Sequence, residues 1–243
     1  MRRLLALLLL TPGLVACGGD DDTTLQVLAA ASLTEAYTAL AEDYESDHFG
    51  VRVELIFGSS NDLAESVADG APGDVLATAD ETAMQIAVDA GVTAAVPQVF
   101  ALNQLVIATA PGNPERIHSL DDLDGITWVR CADDVPCGRI AVTLLKHAGV
   151  TAEPVSLELD VKATLEKITS GEADAGLVYA SDAVTAGRAV RSVPIEGSAA
   201  VPAIYYVAPL SQAADGGLAD DWINLVNSVA GDVALNNAGF TSR

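Results

Sequence analysis

Basic residues are scarce in this chain. Its 243 residues include 12 lysines and arginines against 34 aspartates and glutamates, a formal net charge of −22. No basic patch is present to hold a phosphate backbone or an acidic headgroup, so neither nucleic acid nor an anionic membrane surface is an expected partner. A small anion is not excluded, because exposed charges beyond about 8–10 Å are largely screened at physiological salt.

Catalytic signatures are also lacking. The three histidines, His48, His118 and His147, are isolated, and there is no Gly-x-Ser-x-Gly elbow, P-loop or His-Glu-x-x-His helix. Cys131 and Cys137 have no further Cys or His ligands at the spacing that a structural zinc site requires. We therefore expect no enzyme activity, no cofactor and no metal cation bound directly by side chains.

The start of the chain is typical of a secretory signal. Two arginines precede an apolar run at residues 4–10, too short to cross a bilayer as a helix, which takes about 20 residues. Leu-Val-Ala-Cys at 14–17 resembles the bacterial lipobox, which implies removal of residues 1–16 and lipidation of Cys17. The alternative is an ordinary signal peptide with a chance cysteine. We expect an extracytoplasmic lipoprotein, attached through its lipid to the cell membrane or in the periplasm.

Residues 17–24 form the next segment, which is small and polar after the cysteine. Such a composition cannot bury enough apolar surface to fold, so it predicts a flexible tether. The remaining body of about 220 residues suits one large domain or two lobes of about 100 residues each.

Strand-like apolar runs alternate with helical patterns along the body, which predicts an α/β fold with mainly parallel sheets. The predicted strands are 25–30, 51–57, 74–78, 104–109, 126–129, 155–159 and 175–179. The predicted helices are 32–44, 61–69, 84–90, 140–148, 161–170 and 218–229.

Two of these helices carry specific expectations about their residues. Ser32 and Glu35 fit a capping box at the start of the first helix. Helical spacing predicts two buried stripes, which are Leu33, Tyr37, Leu40 and Tyr44 in the first helix and Leu218, Trp222, Leu225 and Val229 in the last.

Polar residues stand where predicted strands pass into helices. These turns hold Ser32, Ser59 with Ser60, residues 136–138, and Asp160. Helix starts present unpaired N–H groups and a partial positive charge, so several of them around one cleft make an anion site. The alternative is that each serine only caps its own helix.

The same turns carry a resemblance to the molybdate-binding proteins of ABC transporters. It extends in order from about residue 25 to residue 241. The matching motifs are Leu-Ala-Ala-Ala-Ser-Leu-Thr at 28–34, Phe-Gly-Ser-Ser-Asn-Asp-Leu at 57–63, Gly-Ala-Pro-Gly-Asp-Val at 70–75, Asp-Val-Pro-Cys-Gly at 134–138, Asp-Val at 160–161, Gly-Leu-Val-Tyr-Ala-Ser-Asp-Ala at 176–183 and Gly-Phe-Thr at 239–241.

The resemblance implies a two-lobed periplasmic-binding-protein fold with the ligand cleft between the lobes. Residues 24–103 and 206–243 would form lobe 1, and residues 104–205 would form lobe 2. Each lobe would contain a mainly parallel sheet flanked by helices.

The resemblance also implies which residues hold the oxyanion. Ser32 and Ser60 would each donate through hydroxyl and backbone N–H, Cys137 and Val161 through backbone N–H, and Tyr179 through its phenol. Cys137 departs from the family pattern, which has a small residue such as alanine there. Only the N–H is needed, so we expect this donor to be kept.

Molybdate or tungstate is therefore the expected ligand, bound through its oxygens, and the ABC permease of a molybdate importer is the expected partner of a monomeric protein. Sulfate or another oxyanion is the main alternative, since the same donors suit it. A ferric-iron protein is a second alternative, suggested by the adjacent Tyr205 and Tyr206. A sensory or enzymatic role on the same fold is a third.

Cys131 and Cys137 are expected to form a disulfide. The compartment is oxidising, and two thiols remain once Cys17 is lipidated. The five residues between them end in a proline and favour a turn. The alternative is that both cysteines stay reduced.

Overall fold

The computed structural model describes residues 23–241. The expected signal segment 1–16 and the lipidation of Cys17 lie outside the described residues. Thr23 and Thr24, which we assigned to the tether, instead pair with Val51 and Arg52 in a parallel ladder. The sheet therefore begins two residues earlier than composition alone indicates.

Two five-stranded sheets form the body of the molecule. In the first sheet the strands are β1 Thr23–Ala30, β2 Val51–Gly58, β3 Val75–Thr78, β4 Gln98–Asn103 and β10 Ala203–Pro209. In the second sheet they are β5 Leu105–Thr109, β6 Trp128–Cys131, β7 Ser156–Glu158, β8 Ala175–Tyr179 and β9 Arg191–Pro194. The first sheet has the order β2-β1-β3-β10-β4 and the second has the order β7-β6-β8-β5-β9.

Helices pack against both sheets. They are α1 Thr34–Asp47, α2 Ser60–Ala68, α3 Glu81–Asp89, α4 Pro136–Ala148, α5 Val161–Thr169, α6 Ala180–Ala186, α7 Gly216–Val226 and α8 Val229–Asn237. Within residues 23–241, no helix has the length and apolar character needed to cross a membrane.

The α/β fold class with two sheets is confirmed, but each sheet is mixed rather than mainly parallel. In the first sheet β1 runs parallel to β2 and β3, whereas β10 runs antiparallel to both of its neighbours. In the second sheet β5 is likewise antiparallel to β8 and β9. The strands β5 and β10 follow the two crossings, which are the points where the chain passes from one sheet to the other. At each crossing the chain enters the new sheet without a strand-helix-strand crossover.

The two crossings fall at different distances from the expected lobe boundaries. The first lies between β4 and β5, which meets the boundary at residues 103 and 104. The second lies before Ala203, because all of β10 belongs to the first sheet. Residues 203–205, expected in lobe 2, thus lie in the first sheet.

The buried stripe of the first helix is confirmed, whereas that of the last helix is partly wrong. Leu33, Tyr37, Leu40 and Tyr44 are all buried. The last predicted helix is two helices, since α7 ends at Val226 and Ser228 caps α8 by accepting from the N–H of Gly231. Val229 is therefore the first residue of a new helix, and it is 81% exposed.

Candidate functional site

A small cavity lies where turns from both sheets meet. Its volume is about 20 Å³, room for a small ion and far below the roughly 300–1,000 Å³ of sites for organic ligands. All five residues predicted to bind the oxyanion line it. The lining consists of Ala30, Ala31, Ser32, Gly58, Ser59, Ser60, Ala79, Val135, Pro136, Cys137, Leu159, Asp160, Val161 and Tyr179.

We call the residues contributed by the first sheet the hydroxyl wall, formed by Ser32, Ser59 and Ser60. Ser32 lies in a 3₁₀ helix, Ala31–Leu33, before α1. The predicted capping box is wrong, because no side chain caps α1 and the Ser32 hydroxyl instead lies 2.7 Å from the Tyr205 hydroxyl. The Ser32 hydroxyl thus contacts a buried residue that is distant in sequence and does not cap the adjacent helix.

The two adjacent serines of the hydroxyl wall differ in their partners. Ser60 begins α2, and its Oγ accepts from the N–H of Ala79 at 3.0 Å. Ser59 Oγ is buried with no hydrogen-bond partner among the described residues. A buried hydroxyl without a partner is costly unless a ligand or water satisfies it, so Ser59 joins the candidate site. The sequence showed the serine pair but not which hydroxyl lacks a partner.

We call the residues contributed by the second sheet the amide wall, formed by Cys137, Val161 and Tyr179. Cys137 is the second residue of α4, and Val161 is the first residue of α5. The first four N–H groups of a helix have no acceptor within that helix, so both residues present unpaired donors. The same helix ends carry a partial positive charge that favours an anion.

The turn that leads into α4 is held closely together. Cys131 and Cys137 are joined by a disulfide, with their Cα atoms 5.7 Å apart. Gly138 follows, and a Cβ at this position would lie 1.6 Å from the carbonyl oxygen of Ala132. Only glycine therefore fits this turn, which fixes the direction of the Cys137 N–H.

Tyr179 contributes a buried phenol to the amide wall. Its hydroxyl has no hydrogen-bond partner within residues 23–241. Burial raises the pKa of Tyr179 well above its usual value. The phenol therefore keeps its proton at neutral pH and can donate to a ligand.

One carboxylate lines the cavity among the described residues, that of Asp160. It caps α5, and its Oδ1 accepts from the N–H of Ala163 at 2.9 Å. Hydroxyls and helix-start amides supply the other polar groups of the lining. A lining of this composition favours an anion that accepts hydrogen bonds on all sides.

Two ion pairs join helices of the first sheet to helices of the second. Arg139 of α4 lies 2.7 Å from Asp80, the residue that caps α3, and it also donates to Asn61 of α2 at 3.1 Å. Lys162 of α5 lies 2.7 Å from Glu35 of α1. The hydroxyl and amide walls are thus held against each other by charged contacts that no short-range sequence pattern shows.

Asp182 is a buried acid behind the amide wall. Burial raises the pKa of Asp182 to about 7, although Lys162 at 3.3 Å from its Oδ1 acts in the opposite direction. Its Oδ2 accepts from the backbone N–H of Tyr179 at 3.2 Å. The acid therefore positions the strand end that carries the phenol.

The adjacent tyrosines do not converge on a common site. Tyr205 is fully buried and contacts Ser32, whereas Tyr206 lines a separate groove beside α3. No group of three or more His, Cys, Asp or Glu side chains that could hold a metal ion occurs in the part of the chain that the structure describes. The tyrosine pair therefore gives the iron alternative no support.

Comparison with known proteins gives consistent similarities. Residues 25–241 match the family of bacterial extracellular solute-binding proteins. The molybdate-binding protein ModA of Mycobacterium tuberculosis (strain ATCC 25618 / H37Rv) is 37% identical over 245 residues, covering 96% of this chain and 94% of that protein. The molybdate-binding protein ModA of Escherichia coli (strain K12) is 32% identical over 176 residues, covering 68% of each.

Solved structures show the same fold. The periplasmic molybdate-binding protein of Azotobacter vinelandii superposes with a TM-score of 0.78 at 19% identity, covering 90% of this chain and 99% of that one. The sulfate-binding protein SubI of Mycobacterium tuberculosis H37Rv superposes with a TM-score of 0.81 at 18% identity, covering 90% and 87%.

Proposed function

The chain belongs to the family of bacterial extracellular solute-binding proteins, and on that premise we propose that it captures molybdate or tungstate and delivers the anion to an ABC importer. The family places the chain outside the cytoplasm. Relatives at 37% and 32% identity bear the name of molybdate-binding protein, which supports this choice of ligand.

The observation that carries the proposal is the set of donors around one small cavity. Ser32, Ser60, Cys137, Val161 and Tyr179 come from five separate turns and all line it. A tetrahedral dianion needs donors around each of its four oxygens. Hydrogen bonds to a charged group contribute about 1.5–3 kcal/mol each, so such a shell binds the anion without a lysine or arginine in contact.

Delivery requires that a partner distinguish the loaded protein from the empty one. We propose that the two sheets act as two lobes that close on the anion, which joins the hydroxyl wall to the amide wall. The permease of the importer would recognise this closed, monomeric form. Lipidation of Cys17 would keep the protein close to that permease, since a lipid anchor confines it to the membrane surface.

Sulfate is the second candidate, because the same donors suit any tetrahedral dianion. The two ions differ in size, so discrimination rests on the fit of the cavity. The structural similarity to a sulfate-binding protein at 18% identity shows a shared fold and does not favour sulfate over molybdate.

Calorimetric titration of the chain from residue 18 onward tests the proposal. Molybdate and tungstate are expected to bind one-to-one and to raise the melting temperature. At a free ligand concentration of 100 times Kd the stabilisation is about 2.7 kcal/mol. Sulfate, phosphate and ferric citrate are expected to bind weakly or not at all. Equal binding of sulfate would contradict the choice of molybdate, and binding of ferric citrate alone would contradict the oxyanion site.

A further inference from the structure

The contact between Tyr205 and Ser32 brings together two buried hydroxyls, of which only Ser32 lines the cavity. Each hydroxyl has one proton, so their hydrogen bond runs in one of two directions. If Tyr205 donates, the Ser32 proton is available to the cavity. If Ser32 donates, it offers the cavity only lone pairs.

The burial of Tyr205 determines that direction, because a buried phenol needs an acceptor for its proton and the Ser32 hydroxyl lies within reach. The side-chain amide of Asn103 offers no second acceptor. Its Oδ1 accepts from the N–H of Gln104 at 2.9 Å and its Nδ2 donates to Ser181 at 2.8 Å, which fixes the orientation of the amide. Burial raises the pKa of Tyr205, although the side chains of Ser32 and Asn103 act in the opposite direction, so the phenol keeps its proton. An amide nitrogen can only donate. The Tyr205 proton is therefore directed to Ser32.

We propose that Tyr205 is a positioning residue that holds the Ser32 hydroxyl as a donor toward the bound anion, through a relay from Tyr205 to Ser32. This inference rests on the proposed function, because it concerns the same oxyanion site. It adds a residue that does not touch the ligand and that lies 173 positions from Ser32 in sequence.

The relay predicts a preference for anions that carry no proton. An oxyanion with an O–H group needs an acceptor, and a hydroxyl that can turn would supply one. With Ser32 held as a donor, phosphate, which is protonated at neutral pH, loses this acceptor, whereas molybdate does not need one. Removing the Tyr205 hydroxyl should therefore lower molybdate affinity while leaving phosphate affinity unchanged or higher.

Tyr205→Phe and Tyr37→Phe form a matched pair for the test. Tyr37 is also fully buried, and its hydroxyl has no partner among the described residues. Molybdate affinity is measured by calorimetry and phosphate affinity by competition against molybdate. Tyr205→Phe is expected to lower the ratio of molybdate to phosphate affinity about tenfold or more, the equivalent of one hydrogen bond to a charged group. Tyr37→Phe is expected to leave the ratio unchanged.

A double-mutant cycle separates the relay from a general packing role. In a Ser32→Ala background Tyr205→Phe should cause no further loss, because the hydroxyl that it orients is gone. If Tyr205→Phe does not fold, Asn103→Asp tests the same relay, since it keeps the acceptor for Gln104 and adds a second acceptor on the strand paired with that of Tyr205. This acceptor would draw the Tyr205 proton away from Ser32. It should also lower the molybdate-to-phosphate ratio.

Four outcomes would overturn the inference. They are unchanged molybdate affinity in Tyr205→Phe, equal losses for molybdate and phosphate, additive losses in the cycle, and an unchanged ratio in Asn103→Asp. Molybdate binding by the parent is measured first. If the parent binds none, the proposed function fails and this inference fails with it, whereas a binding parent and an unchanged variant overturn the inference alone.

Discussion

The two walls of the cavity use different kinds of donor. The hydroxyl wall offers Ser32, Ser59 and Ser60, whose protons turn with the side chain. The amide wall offers the N–H groups of Cys137 and Val161, which the backbone fixes as donors. A hydroxyl can be reversed by its neighbours, but a helix-start amide cannot accept. The amide wall therefore favours a ligand that accepts hydrogen bonds, whereas the selectivity that we propose for the hydroxyl wall depends on buried partners such as Tyr205.

Two buried acids, one beside each sheet, differ in the groups that hold their carboxylates. Asp74, which precedes β3 of the first sheet, accepts from the backbone N–H groups of Gln26 and Ala214, both at 2.7 Å. Asp182, in α6 beside the second sheet, has one backbone N–H and, at 3.3 Å, the ammonium of Lys162. Of the two acids, Asp182 is thus the one whose charge is compensated by a side chain from another helix, Lys162 of α5.

The largest expected effect concerns this difference in buried acids. Burial raises the pKa of Asp182 from 3.8 to about 7. Between these two pH values the folded state therefore holds a proton that the unfolded state has released. The free energy of unfolding should therefore fall as pH rises from about 4 to about 7. Asp182→Asn should lack this fall and should exceed the parent in stability by about 2–4 kcal/mol at pH 8.

Urea unfolding of both proteins across this pH range gives the measurement. Asp43→Asn, at an exposed position on α1, serves as the control and should follow the parent. Parallel curves for the parent and Asp182→Asn would show that the buried charge has no such effect.

Val161→Pro tests the fixed donors of the amide wall. Proline is favoured at the first position of a helix and has no N–H, so α5 should form while one donor is lost. Molybdate affinity should fall by about 2–3 kcal/mol. Val229→Pro makes the same change at the start of α8, where the side chain is 81% exposed, and should bind as the parent does. Calorimetry that finds both variants equal to the parent would remove Val161 from the site.

Tyr179→Phe tests the one side-chain donor of the amide wall. Molybdate binding should weaken by about 1–3 kcal/mol, because we propose that the phenol donates to the anion. The unliganded protein should be as stable as the parent or more so, since a buried hydroxyl without a partner is removed. Melting curves with and without molybdate measure both effects, and unchanged affinity would show that the phenol does not reach the ligand.

The smallest expected effect on binding concerns the disulfide. Cys131→Ser combined with Cys137→Ser keeps the Cys137 N–H but lets its turn move, so molybdate affinity should fall about two- to threefold, below about 1 kcal/mol. Parent protein treated with a reductant should match the double variant. Thiol titration of denatured, unreduced protein that starts at residue 18 should find this pair blocked, and two free thiols would contradict the disulfide.

The parts that the sequence predicts are those fixed by nearby residues. The helix predicted at 161–170 begins at Val161, and the helix predicted at 61–69 begins one residue earlier, at Ser60. The helix predicted at 140–148 begins four residues earlier, at Pro136, because residues 136–138 belong to its first turn and not to the loop before it. The strands β4, β9 and β10 were missed, because all three adjoin the crossings between the sheets, where the alternation of strands and helices is interrupted.

Long-range partners explain the remaining errors and omissions. The capping box at Ser32 fits locally, yet the hydroxyl has a partner 173 residues away. The pairs Arg139–Asp80 and Lys162–Glu35 span 59 and 127 residues. No periodicity or turn motif relates residues at such distances, so only the folded chain shows that these side chains meet.

The two ion pairs that join the walls have a consequence for rates. On the proposed closure of the two lobes, an anion held between the walls should leave only after the pairs Arg139–Asp80 and Lys162–Glu35 separate, so escape of every bound oxyanion would share this opening step. Molybdate and tungstate should then have similar residence times, even where their association rates differ. Added salt screens partly exposed pairs much more than it weakens buried contacts, so it should shorten the residence time of both anions equally.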